Sequence, residues 1–137
     1  MRMFKKKNMD IYVEVDGAIG EGGKHVTYKI KKGNDIDKQI SEFRVDKTRN
    51  WCTLNATTQA LQSINELYPN CELKIYSSNL YLINSFNQNW IDRWQINGWL
   101  TAKNTPVKNA NEWKYLLFLM ENHKTTFIYS KKVKNSK

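Results

Sequence analysis

Three acidic residues, Asp10, Glu14 and Asp16, fall on one side of the run DIYVEVD. Clustered carboxylates are what hard divalent cations take as ligands in phosphoryl chemistry. Residues two apart on a strand stand about 6.5–7 Å from each other, which is long for a single ion. Glu21, in the glycine-rich turn that follows, could approach them, but nothing in the sequence fixes it there. A second constellation is aromatic and cationic: Trp90, Trp94, Trp99 and Trp113 stand among Arg93, Lys103, Lys108 and Lys114. Such a mixture suits a polyanion that carries stackable bases. The same tryptophans could pack two helices together, and both roles are compatible, because a packed aromatic can still present a cationic rim. His25 and His123 read as two unrelated surface imidazoles rather than a catalytic couple. Cys52 and Cys71 have no CxxC spacing and no neighbouring His, so they read as buried reduced thiols rather than zinc ligands or a disulfide framework.

The elements that must position these residues follow from periodicity. Ile11, Val13 and Val15 alternate with Tyr12, Glu14 and Asp16, which predicts a strand over Asp10–Asp16. HVTYKIKKG, with Val26, Tyr28 and Ile30 in alternation, predicts a second strand, and a third over Gln39–Val45 closes an antiparallel meander through a reversal around Asn34–Asp37. From Arg49 to Tyr68 the period becomes helical, with Leu54, Leu61, Ile64 and Tyr68 as the apolar stripe, Ala56 and Ala60 as close-packing neighbours, and Thr48 or Asn50 as N-cap. Pro69-Asn70 stops it. A short buried strand over Glu72–Ser77 and a helix from Asn79 to Phe86 follow. Trp90, Ile91 and Trp94 share a helical side until Gly98 interrupts, and a polar loop through Pro106 leads to a helix from about Ala110 to Asn122 and a last strand, Thr125–Tyr129.

The 137 residues are most simply one domain, with 22 Lys+Arg against 13 Asp+Glu giving a net charge of +9. A basic excess spread over the chain favours nucleic acid or another acidic partner. No apolar run approaches the roughly 20 residues of a membrane span, and no secretory segment is visible, so an intracellular, cytoplasmic protein is the expectation. Residues 1–8 read as a basic extension, 9–130 as the domain, and 131–137 as a basic tail, solvated or adding nonspecific phosphate contacts.

The order β-β-β-α-β-α-handle-α-β, the VDGA at Asp16, TRNWCTLNATTQAL, CELKIYSSNLYLINSF and the PVKN at Pro106–Asn109 followed by Trp113 resemble the type 1 ribonuclease H family over roughly Met9 to Tyr129. The resemblance implies an α/β (α+β) ribonuclease H-like fold: a five-stranded mixed sheet with three leading antiparallel strands, helices packed on it, and a basic handle, about 89–109, that docks on the DNA strand of an RNA/DNA hybrid. It also implies four acidic positions around two Mg2+ or Mn2+ ions. Asp16 matches the first. Thr53 stands where the Glu of the family's N-R-M-E-L belongs, and Ser78 stands where the Asp of its Y-T-D-S belongs. The last Asp and an assisting His follow the final strand in the family, and the sequence ends at Lys137 before supplying them or the C-terminal helix. The glycine turn also lacks the family's Asn-Pro-Gly form.

A single carboxylate cannot hold two metals, and neutral hydroxyl or amide oxygens give no charge to offset them. The expectation is therefore a catalytically inactive family member, without a metal cofactor, that binds RNA/DNA hybrid or duplex or serves as a subunit of a larger assembly. Trp90, Arg93, Trp94, Trp99, Lys103 and Lys108 would make the contacts, with Arg49 and Asn50 at the first helix start as phosphate donors. Asp16 reads first as a cap on the Gly17 turn and second as a lone metal ligand. The rivals are an active nuclease with rearranged ligands Asp16, Glu14 and Glu21, and a purely structural interaction factor. Without the last helix, one face of DIYVEVD with Phe127 or Ile128 should be an uncovered apolar surface for a protein partner or a second copy.

Overall fold

A computed structural model describes residues 7–16, 23–32 and 38–131; the side chains of residues 7, 16 and 38–45 are outside the described set. The expectations for residues 1–6, for the turn at 17–22 with Glu21, for the reversal at 34–37 and for the tail from 132 also fall outside it. The strands are β1 (Lys7–Asp16), β2 (Lys24–Lys32), β3 (Lys38–Val45), β4 (Cys71–Ser77) and β5 (Lys124–Tyr129). The helices are α1 (Arg49–Leu67), α2 (Leu80–Asn87), α3 (Trp90–Ile96) and α4 (Ala110–Met120). The strands form one sheet in the order β3-β2-β1-β4-β5. The pairs β3/β2 and β2/β1 are antiparallel, and β1/β4 and β4/β5 are parallel.

The alternation in β1 puts Met9, Ile11, Val13 and Val15 on the face that α1 covers, with Val26, Tyr28 and Ile30 from β2 and Leu73 and Ile75 from β4 beside them. Each such side chain, fully buried, contributes about 1.5–3 kcal/mol. Leu54, Ala56, Ala60, Leu61 and Ile64 fill the facing side of α1 as their spacing predicts, whereas Tyr68 is only half-buried, at its C-cap. Thr48 is the N-cap, in extended conformation, and accepts the Trp51 backbone N–H at 3.1 Å. Three buried threonines, Thr53, Thr57 and Thr58, also lie on α1, and the first two satisfy their hydroxyls by donating to Arg49 O and Thr53 O one turn earlier. Phe86 of α2 stacks on Phe127 of β5 at 3.8 Å between ring centroids.

Three expectations need correction. Strand β1 begins at Lys7 rather than Asp10, because Lys7 and Asn8 pair with Cys71 and Glu72 of β4, so the basic extension is shorter than 1–8. Helix α4 ends at Met120, two residues early, because the chain turns there to send the His123 backbone N–H to Met120 O at 2.9 Å. His123 is not a surface imidazole: it is half-buried, its Nδ1 accepts the Cys71 N–H at 2.9 Å, and its Nε2 meets Asn65 Oδ1. Cys52 and Cys71 are buried free thiols.

The uncovered sheet face also differs from expectation. Phe127 is on the helix-covered side, and the open side carries Asp10, Tyr12, Glu14, Lys29, Lys31, Glu72, Lys74, Thr126 and the half-buried Ile128. Tyr12 stacks on Tyr76 across β1/β4 at 4.7 Å, with Lys29 Nζ 6.0 Å from the Tyr12 ring. The exposed apolar surface expected for a partner is therefore replaced, among the described residues, by a polar and aromatic one. No helix among these residues is long and apolar enough to cross a membrane.

Candidate nucleic-acid interface

Two regions gather the residues singled out above. In the first, the parallel pairing of β1 with β4 (Val13 opposite Ser77) sets the C-terminal ends of both strands side by side, next to the first turn of α1. Ser78 Oγ donates to Glu14 Oε1 at 3.0 Å. Thr53 is 1% exposed, and its hydroxyl donates to Arg49 O at 2.9 Å while accepting from Asn79 Nδ2 at 2.8 Å. The same Asn79 amide reaches Asn50 Oδ1 at 3.1 Å. Asn79 also caps α2, its Oδ1 accepting the Tyr81 N–H at 2.9 Å while its own N–H goes to Ser77 Oγ at 3.1 Å.

Asn79 is thus a hub that ties α1 to the start of α2, and it is the N-cap of that helix rather than its first residue. Asn79→Ala should lower stability by about 1–3 kcal/mol, because it removes the cap and leaves the buried Thr53 oxygen without its donor. Chemical denaturation checks this, and an unchanged midpoint would contradict the hub.

Arg49, exposed at the start of α1, sends Nη1 to the Val15 carbonyl at the end of β1. Lys24, at the start of β2, is 6% exposed. Burial pushes the Cys52 thiol in the first turn of α1 up, while the charges of Lys24 and Arg49 oppose that shift. The position of Asp16 is fixed by its backbone pairing with His25, its carboxylate being outside the described set.

The described donors alone do not fit a pair of Mg2+ or Mn2+ ions. The hydroxyls of Thr53 and Ser78 are neutral and already bonded, Glu14 is the described carboxylate that contacts Ser78, and no group of three His, Cys, Asp or Glu gathers at ligand spacing among the described residues.

The second region is the handle, where the tryptophans pack in sequence. Trp113 of α4 is 0% exposed and lies 5.8 Å from Trp94, which in turn lies 6.1 Å from Trp99 and 6.4 Å from Trp90. Trp113 also meets Tyr81 at 5.4 Å and Phe86 at 5.8 Å, and its Nε1 donates to the Tyr81 hydroxyl at 3.1 Å. That hydroxyl donates onward to Lys108 O at 3.4 Å, fastening the handle loop to α2.

Ile91 and Val107 close the inner side of the loop. Asn89, Asn104 and Asn109 take the left-handed conformations that asparagine tolerates, and Trp99 takes one at φ 65° that its side chain does not favour. Trp99 is held there by its N–H to Trp94 O at 2.6 Å, by Val107 N–H to its own carbonyl at 3.0 Å, and by Lys114 Nζ 5.6 Å from its ring.

Packing is therefore the first role of these side chains: Trp113 is interior, and Trp90, Trp94 and Trp99 are half-buried. Arg93, Lys103, Lys108 and Lys114 are all exposed around them. The arrangement is a cluster of tilted aromatic rings with a cationic rim.

Comparison with known proteins agrees with this architecture. The family model for RNase H matches residues 6–135. The ribonuclease H of Caldanaerobacter subterraneus subsp. tengcongensis is 37% identical over 128 residues, 90% of this chain and 80% of that protein. The ribonuclease H of Clostridium botulinum is 38% identical over 122 residues, 86% and 80% of the two chains. Among solved structures, LC9-RNase H1, described as a type 1 RNase H with the type 2 active-site motif, has a TM-score of 0.75 at 12% identity, covering 97% of this chain and 67% of its own. LC11-RNase H1 in complex with RNA/DNA hybrid gives 0.64 at 14% identity, covering 93% and 88%. The sheet order and the helices thus stand together with a match over nearly the whole sequence: the chain belongs to the ribonuclease H family.

Proposed function

We propose that this family member binds nucleic acid, an RNA/DNA hybrid or duplex, along its basic tryptophan handle and does not cut it by two-metal chemistry. The observation that carries the reading is the Thr53 hydroxyl, buried and held between Arg49 O and Asn79 Nδ2 beside the β1 and β4 strand ends, where the family resemblance calls for a carboxylate. Ser78, the other such position, donates its hydroxyl to Glu14 and supplies no charge of its own. A groove with fewer carboxylates repels a phosphate backbone less, so binding does not need ions to neutralise it first.

The partner is supported by LC11-RNase H1, a fold relative seen with an RNA/DNA hybrid. Arg93, Lys103 and Lys108, all exposed beside the half-buried Trp90, Trp94 and Trp99, supply phosphate contacts. Arg49 and Asn50 extend the surface to the start of α1; Asn50 gives its carbonyl oxygen to Asn79 and keeps its amide N–H groups for a ligand. Recognition of this kind reads backbone shape, so little sequence preference is expected.

The test is an anisotropy titration of labelled hybrid, duplex DNA and duplex RNA across a range of salt. Binding that weakens steeply with salt and is indifferent to base sequence is the expected result. No binding to any of the three would overturn it. Hydrolysis through Asp16, Glu14 and Glu21 is the rival, and it predicts shortened RNA in the same samples.

A further inference from the structure

The strand-end region has two cations whose placement the handle does not explain. Arg49 is exposed, gives one guanidinium N–H to the Val15 carbonyl, and pairs with no carboxylate among the described residues. A guanidinium has five donors in a fixed fork, so four remain, enough to take two oxygens of a phosphate side by side. Lys24, at the start of β2, is 6% exposed and has no hydrogen bond or ion pair to any described residue. Lys47, exposed just before α1, adds a third cation and sits with Nζ 5.6 Å from the Trp51 ring. The described carboxylates nearby in the chain are Glu14, which receives the Ser78 hydroxyl, and the exposed Asp46.

We propose that this centre takes a backbone phosphodiester of the bound strand directly on the Arg49 guanidinium, with Lys24 of β2 as a second cation of the region, so that side-chain cations stand in place of divalent ions. The proposal rests on the reading that the chain binds nucleic acid without two-metal cleavage, and it adds a consequence that reading lacks. Magnesium becomes a competitor for the phosphate rather than a bridge to it.

The experiment is an anisotropy titration of labelled RNA/DNA hybrid at constant ionic strength, in EDTA and in Mg2+, with the wild-type chain, Arg49→Gln, Arg49→Lys and Lys24→Met. Binding should be as tight or tighter in EDTA. Arg49→Gln should weaken binding about 8-fold at 0.1 M salt and lower the slope of log affinity against log salt by about 0.9, the signature of one lost phosphate contact. Arg49→Lys should keep the slope, because it keeps the charge. Lys24→Met should weaken binding at low salt, with a thermal melt by circular dichroism establishing that it is folded.

If wild type binds but Arg49→Gln binds identically, or if Mg2+ tightens binding, the phosphate site is wrong and the hybrid-binding reading stands. If the RNA is cut, or nothing binds, that reading fails and the phosphate site fails with it.

Discussion

Replacing Trp113 with alanine lowers the stability of the protein by about 3–5 kcal/mol, the range for deleting a fully buried aromatic side chain. Trp113 is 0% exposed and touches three aromatic rings on two other helices: Tyr81 and Phe86 of α2 and Trp94 of α3. Its indole N–H also anchors the Tyr81 hydroxyl, through which the handle loop is tied at Lys108 O. Domains of this kind are stable by about 5–15 kcal/mol in all, so the variant should be close to unfolding at ambient temperature. Trp113→Phe separates the two contributions. It keeps most of the ring contacts and loses the hydrogen bond, and should cost about 1–3 kcal/mol for the Tyr81 hydroxyl left short of a partner, plus a smaller packing loss. Urea denaturation of both variants is the check; a Trp113→Ala protein as stable as wild type would show that the stack does not hold the handle.

Substituting Arg93, Lys103 and Lys108 together by glutamine weakens hybrid binding about 500-fold at 0.1 M salt. Each phosphate contact contributes a salt slope of about 0.9, so three contacts amount to about 2.7 decades under those conditions. All three side chains are exposed, so thermal stability should stay where it was. That contrast distinguishes them from Trp113, whose loss reduces affinity only by loosening the frame beneath the cations. Anisotropy titrations at several salt concentrations give both numbers; an unchanged slope in the triple variant would remove the handle from the interface.

Much of this was legible because the signals were local. The alternation in DIYVEVD gives β1 its two faces, and the stripe of Leu54, Leu61 and Ile64 fixes the buried side of α1. Thr48 caps α1 where a side-chain acceptor was expected. What escaped was decided by partners distant in sequence. Lys7 and Asn8 look like part of a basic tail until β4 supplies their pairing, and His123 looks like a surface residue until the Cys71 N–H and Asn65 fill both ring nitrogens.

In the candidate site, Thr53 and Ser78 could be flagged from the motifs in which they stand, but not their bonds. Asn79 passed unremarked because its second function, linking Asn50 and Thr53, depends on how α2 approaches α1. The polarity of the open sheet face was misjudged for a simpler reason: the even-numbered residues of β1 are polar, and Phe127 takes the opposite face from Ile128. The tryptophan spacing alone could not divide packing from contact, since a half-buried indole does both.

The central claim is that the chain holds a hybrid and leaves it whole. The direct measurement is a denaturing gel of end-labelled RNA within an RNA/DNA hybrid, incubated with protein in excess in Mg2+ and separately in Mn2+, alongside a native gel of the same samples. A shifted hybrid whose RNA strand stays full length is the predicted result. Shortened RNA that disappears with Asp16→Asn would contradict the account and establish this chain as a metal-dependent ribonuclease built on a rearranged set of ligands.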